Sequence, residues 1–156
     1  MTTQDNPDPT ALPASGPSVP VAAALVAGPK DAVFLSADGE IETVSHRQAA
    51  RRAEENPPLV CHGPATAAQL GSRGFAAFDL LELFAFVHPA AFCLPTPRGL
   101  AAALMLTPPN DAVAGAAVLR VSAEMLLGQI NLGHDRPKME SIAQMMAAAG
   151  WIWGPW

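Results

Sequence analysis

"DAVFLSADGEIETVS" (31–45) carries the clearest β signal in the chain. A run of apolar residues at 33–35 is followed by Asp38-Gly39, a dipeptide that is favoured in two-residue hairpin turns. Branched residues resume at Ile41, on the far side of the turn. The stretch therefore predicts a β-hairpin.

Short strands and helices alternate around this hairpin. The elements expected are a strand at 20–26, a solvent-facing helix at 46–56 that Pro57-Pro58 ends, a buried strand in "LVCHG" (59–63), and a short helix in "PATAAQLGS" (64–72). Such alternation indicates an α/β fold, and we expect a short sheet of about three to five strands.

The second half of the chain predicts helices almost throughout. We expect them at about 79–87, after an N-cap at Thr96, from a cap at Asn110 or Asp111 to about 130, and at 138–150. The chain then ends on "WIWGPW" (151–156), whose tryptophan rings need packing partners. We interpret 19–132 as one domain, and 133–156 as a final helix and a Trp-rich linker toward a further domain.

Composition narrows the class of protein. Half of the 156 residues are hydrophobic and 15% are charged, so a core can form. The net charge of −5 argues against a broad basic surface for nucleic acid. Cys61 and Cys93 have apolar neighbours, which suits buried thiols in a reducing compartment.

The first 18 residues are rich in proline and contain no Lys or Arg. A secretory signal begins with basic residues, so 1–18 instead predict a disordered arm. The apolar run at 19–28 is too short to cross a bilayer. We expect a soluble cytoplasmic protein without a membrane partner.

"FDLLELFAFVHP" (78–89) holds two carboxylates in an apolar run. Asp79 and Glu82 are three residues apart, so they lie on one helix face and could share a metal ion. They also fit a capping box, in which Asp79 is the N-cap and Glu82 bonds back to its backbone. His-Pro at 88–89 then ends the helix. Capping is the more economical interpretation, because it accounts for the whole segment.

Three other residues could complete a metal site. Asp38 and Glu40 form a D-x-E after a strand, as in two-metal nucleases, although they also lie at the tip of the predicted hairpin. His62 directly follows a strand, where functional groups are common, although a lone histidine there is more often structural. A small metal-dependent hydrolase would need Asp38, Glu40, His62 and Asp79 to converge.

Arg47, Arg51 and Arg52 form a basic helix face that could contact nucleic acid, although Glu54 and Glu55 adjoin it. The sequence contains no Walker A motif, no G-x-G-x-x-G after a strand and no G-x-S-x-G. The residues alone predict no catalytic group and no bound cofactor in this segment.

The order of elements in 31–130 resembles the exonuclease fold of the DnaQ type, a ribonuclease-H-like α/β domain. "LVCHGPATAAQL" resembles the strand of that family with its HN and FD residues, and "FDLLELFAFVHP" resembles its DTLEL segment. "PTPRGLAAALML" resembles its LxxLA helix, and "PPNDAVAGAAVLRVSAEMLL" its final helix. The resemblance implies a ribonuclease-H-like sheet.

The family's catalytic residues are largely missing. The positions that match its HN, FD and final H-x4-D residues hold Gly63 after His62, Thr66-Ala67, and about Asp111 and Gly115. Its first D-x-E is either lost near Ser36 or survives as Asp38 and Glu40. Two-metal chemistry needs these ligands to hold both ions. The resemblance therefore implies a degenerate exonuclease domain without activity.

A closer resemblance is to the N-terminal region of DinG-like ATP-dependent DNA helicases of alphaproteobacterial type. In these proteins a segment like "FDLLELFAFVHPA" with "PTP" and "GLA" precedes the motor, and a W-x-W-x-P stretch follows. This implies an accessory region of a helicase in DNA repair or replication, whose ATP, Mg²⁺ and DNA sites lie beyond residue 156. The alternatives are the hydrolase above and a stand-alone scaffold whose Trp-rich end binds a partner.

Overall fold

The computed structural model describes residues 18–156. The disordered arm predicted at 1–18 lies outside this range, apart from its last residue. The elements in chain order are β1 (Ala24–Ala27), β2 (Asp31–Leu35), β3 (Ile41–Ser45), α1 (His46–Glu55), β4 (Leu59–Val60), α2 (Gly63–Gln69), β5 (Phe78–Asp79), α3 (Leu80–Val87), α4 (Pro97–Ala103), α5 (Ala112–Leu132) and α6 (Arg136–Ala148). They confirm an α/β fold with a mostly helical second half.

The five strands form one mixed sheet in the order β3-β2-β1-β4-β5. β2 pairs antiparallel with β1 and with β3, which confirms the hairpin predicted at 31–45. On the other side of β1, β4 and β5 are added in parallel. β1, β3, β4 and β5 therefore end at the same edge of the sheet, which we call the carboxyl edge.

Helices cover both faces of the sheet. On one face, Ala49 of α1 and Leu70 at the end of α2 pack with Phe34 of β2. On the other face, α3, α4 and α5 form a larger core with Ala24 of β1 and Leu59 of β4. The result is a sheet with a helical layer on each side, which buries β4, β5 and most of β1 and β2, while the edge strand β3 is largely exposed.

α5 is the central helix of the larger core. It is the one helix within 18–156 that is long and apolar enough to cross a membrane. Eight of its residues are buried in the fold, and Gly115 lets it approach Val26 of β1 and Pro97 of α4. Arg120 donates to the backbone oxygen of Ala22 at 2.9 Å. Packing against the sheet therefore accounts for its apolar composition.

The Trp-rich segment belongs to the same core. Trp153 is 2% exposed, and its ring packs edge-on against Phe78 with centroids 5.1 Å apart. Gly154 lies so close to Ala147 of α6 that a Cβ would not fit, so the chain folds back along that helix. Residues 133–156, predicted as a helix and linker, are thus packed onto the unit formed by 19–132.

Candidate functional site

Two of the candidate residues lie at the carboxyl edge. His62 follows β4 and precedes α2, while Asp79 ends β5 and precedes α3. Open α/β sheets bind their ligands outside the carboxyl ends of the strands. This edge is therefore the place to look for a site.

The carboxylate of Asp79 is used within the fold. It is buried, with 5% of the residue exposed. Its Oδ2 accepts the N–H of Gly63 at 2.7 Å, and its Oδ1 accepts those of Leu81 and Glu82 at 2.9 and 3.3 Å. The predicted N-cap is confirmed, and the same side chain also fastens the start of α2 to the start of α3. Three N–H donors satisfy a buried carboxylate without a metal.

Glu82 does not complete the predicted capping box. Its Oε2 instead accepts the indole N–H of Trp151 at 3.0 Å, and the Trp151 ring packs against Phe86. A second indole, that of Trp153, donates to the backbone oxygen of Asp79 at 2.8 Å. These two hydrogen bonds attach the C-terminal segment to the start of α3. They span 69 and 74 residues of sequence, so no local pattern could indicate them.

Asp38 and Glu40 lie at the opposite edge of the sheet from His62 and Asp79. They are exposed in the turn that joins β2 to β3, and β2 runs away from the carboxyl edge. A five-residue strand separates the two edges by roughly 13 Å. Within 18–156 no group of three or more His, Cys, Asp or Glu residues could hold a metal ion. The structure does not bring the four candidates together.

His62 is half-buried at the start of α2. Its backbone oxygen accepts both the N–H and the hydroxyl of Thr66, at 3.0 and 2.9 Å. Its Nδ1 is buried and has no hydrogen-bond partner among the described residues. Its backbone has a structural role, and any function of the ring stays a prediction.

The basic face of α1 is partly neutralised. Arg51 pairs with Glu55 at 3.2 Å, while Arg52 pairs with Glu42 of β3 and lies over the ring of Phe34. Arg47 is exposed, and no ion pair within 18–156 includes it. Exposed pairs of this kind are weak, about 0–1 kcal/mol. A nucleic-acid contact on α1 stays a prediction.

Cys61, directly after β4, is a buried free thiol, as predicted. Burial raises its pKa to about 12, with smaller contributions from Cys93 and Asp79. Cys93, which was also predicted to be buried, is only half-buried, and partial burial raises its pKa as well. Because the thiolate is the reactive form, Cys61 is not suited to act as a nucleophile near neutral pH.

A cavity of about 760 Å³ opens beside the carboxyl edge. The loop between α2 and β5 forms one wall, and the end of α6 with Trp151 forms the other. Its volume is within the range of small-molecule sites, about 300–1,000 Å³. No sequence motif marked this cavity, because its walls come from segments that are distant in the chain. The residues that give it chemical character are Ser72, Arg73, Phe75, Asp79, Glu82 and Trp151.

Comparison of the chain with protein-family models, curated proteins and solved structures gave no match.

Proposed function

We propose that this chain is a ribonuclease-H-like domain of the DnaQ exonuclease type that has lost its nuclease activity. We further propose that it forms the N-terminal accessory region of a DinG-like ATP-dependent DNA helicase. In this role the domain docks against other parts of the helicase or against its partners, and the motor supplies ATP hydrolysis and DNA binding.

The sheet topology is the observation that carries the fold proposal. An antiparallel hairpin, β2–β3, lies on one side of β1, and two parallel strands joined by helices lie on the other. This order and these directions are those expected of a ribonuclease-H-like sheet.

The carboxyl edge supports the loss of activity. β1 reads "ALVA" and contributes no acidic residue. Ser36, where the D-x-E was expected, follows β2 and lies at the opposite edge, so Asp38 and Glu40 cannot replace it. Thr66-Ala67 lies buried in α2, and Gly115 is packed against β1. Of the described carboxylates at this edge, Asp79 already has three N–H partners.

A nuclease assay tests the first part of the proposal. Purified chain is incubated with Mg²⁺ or Mn²⁺ and end-labelled single-stranded DNA, and we expect no metal-dependent shortening. The Asp38→Ala and Asp79→Ala variants identify a contaminating nuclease, because contamination is unaffected by them. Degradation that either substitution abolishes would overturn the proposal and restore the metal-dependent hydrolase.

The coding sequence after Trp156 tests the second part. A helicase motor requires a Walker A sequence with its phosphate-binding Lys in the same reading frame. We expect that motif downstream. A stop codon immediately after Trp156 would contradict the helicase assignment and favour the stand-alone scaffold, while leaving the fold proposal intact.

A further inference from the structure

Within 18–156, the cavity beside the carboxyl edge has no free glycine N–H group to offer a ligand. Three glycines line it, and all three of their N–H groups are already bonded: Gly63 to Asp79, Gly74 to the hydroxyl of Ser72, and Gly150 to the carbonyl of Ala147. Backbone loops that bind phosphate do so through free N–H groups of this kind. The described walls of the cavity therefore lack the backbone donors of a phosphate-binding loop.

Its charged and aromatic groups favour a cation. Glu82 lines the cavity together with Asp79, whose buried carboxylate adds negative charge but has both oxygens already bonded. Arg73 supplies the one opposing charge among the described lining residues. Glu82 is exposed, and only its Oε2 is used by Trp151, so its second oxygen can accept a further donor. The rings of Phe75 and Trp151 lie in the same walls. Aromatic faces beside carboxylates are a suitable environment for a positive side chain.

We propose that this cavity binds an arginine side chain of a partner protein. A guanidinium group donates in a plane to a carboxylate and stacks on aromatic rings, which a lysine ammonium does less well. The small side chains of Ala67, Ala76 and Ala149 leave room for the rest of the arginine and for apolar neighbours in the partner segment. Binding of an arginine in this cavity is independent of the proposed loss of nuclease activity and of the nuclease assay.

The test is an NMR titration of the full chain, labelled with ¹⁵N, with the peptide acetyl-Leu-Arg-Leu-amide. A peptide with citrulline in place of arginine has nearly the same shape but no charge. A peptide with lysine keeps the charge but lacks the planar guanidinium group. We expect the arginine peptide to shift the indole signal of Trp151 and the backbone signals of Gly63 and Gly150. The citrulline peptide should leave these signals in place, and the lysine peptide should bind more weakly.

Glu82→Gln keeps an acceptor for the Trp151 indole but removes the charge. We expect it to weaken arginine-peptide binding by about fivefold. Glu124→Gln, on the exposed face of α5, changes the net charge equally and should have no effect. Equal binding of the citrulline peptide, equal loss in both variants, or displacement of the same signals by a short oligothymidine would each overturn the proposal.

Discussion

The substitution Trp153→Ala tests whether Trp153 completes the core or belongs to a loosely attached linker. The buried Trp153 ring accounts for roughly 150–250 Å² of buried surface, or about 4–6 kcal/mol of transfer free energy. Residual structure in the unfolded chain reduces that figure, while the loss of the indole donor to the Asp79 carbonyl adds to it. We expect the free energy of unfolding to fall by about 3–5 kcal/mol, in line with other buried aromatic deletions.

Urea unfolding followed by far-UV circular dichroism measures this effect without relying on tryptophan fluorescence. The matched control is Trp156→Ala, because Trp156 contacts Phe78 from the other end of the segment but is 41% exposed. We expect the control to cost about 1 kcal/mol or less, with a similar urea dependence in both variants. A loss below about 1 kcal/mol for Trp153→Ala, or equal losses for both tryptophans, would show that the segment does not contribute to the core.

Three further predictions concern single side chains. Met105 is 94% exposed at a φ of 56°, so Met105→Gly should raise the free energy of unfolding by about 0.5–1 kcal/mol in thermal melts, with Met105→Ala unchanged. Asp79→Asn places an amide donor beside N–H groups whose hydrogen bonds the carboxylate now accepts, including that of Gly63. We expect the free energy of unfolding, measured in urea, to fall by about 1–3 kcal/mol. An unchanged urea midpoint would refute the structural role of Asp79. Since burial raises the pKa of Cys61 to about 12, its thiol stays protonated near pH 8, and mass spectrometry should find iodoacetamide on Cys93 first; faster labelling of Cys61 would contradict its burial.

The elements that sequence reasoning predicted well are those with local signals. The Asp38-Gly39 signal located the hairpin correctly, although the loop between Leu35 and Ile41 is longer than the two-residue turn that was predicted. α1 ends one residue before the predicted boundary. Thr96 and Asp111 each accept an N–H at the start of their helices, as N-cap preferences predicted. α6 begins at Arg136, two residues early, because proline is tolerated in the first turn of a helix.

The features that escaped prediction depend on distant partners. β5 is two residues long, too short to show a period, and it exists because Phe78 and Asp79 pair with β4. Glu82 had a plausible local partner in the backbone of Asp79, but the indole of Trp151 takes its place. The edge of the sheet at which Asp38 and Glu40 lie depends on the direction of β2, which no local pattern indicates. The cavity combines segments that no single-sequence pattern connects.

If the domain has lost its nuclease activity as proposed, the hydrogen bonds of Asp79 show how the carboxyl edge is used instead. Several carboxylates that share a metal site repel one another when the metal leaves, so such a site is held at a cost in stability. In this chain one carboxylate remains buried at the edge, and its charge is offset by N–H donors at the start of two helices. That arrangement also presents the backbone carbonyl of Asp79 to Trp153. The carboxyl edge therefore serves as the attachment point of the C-terminal segment.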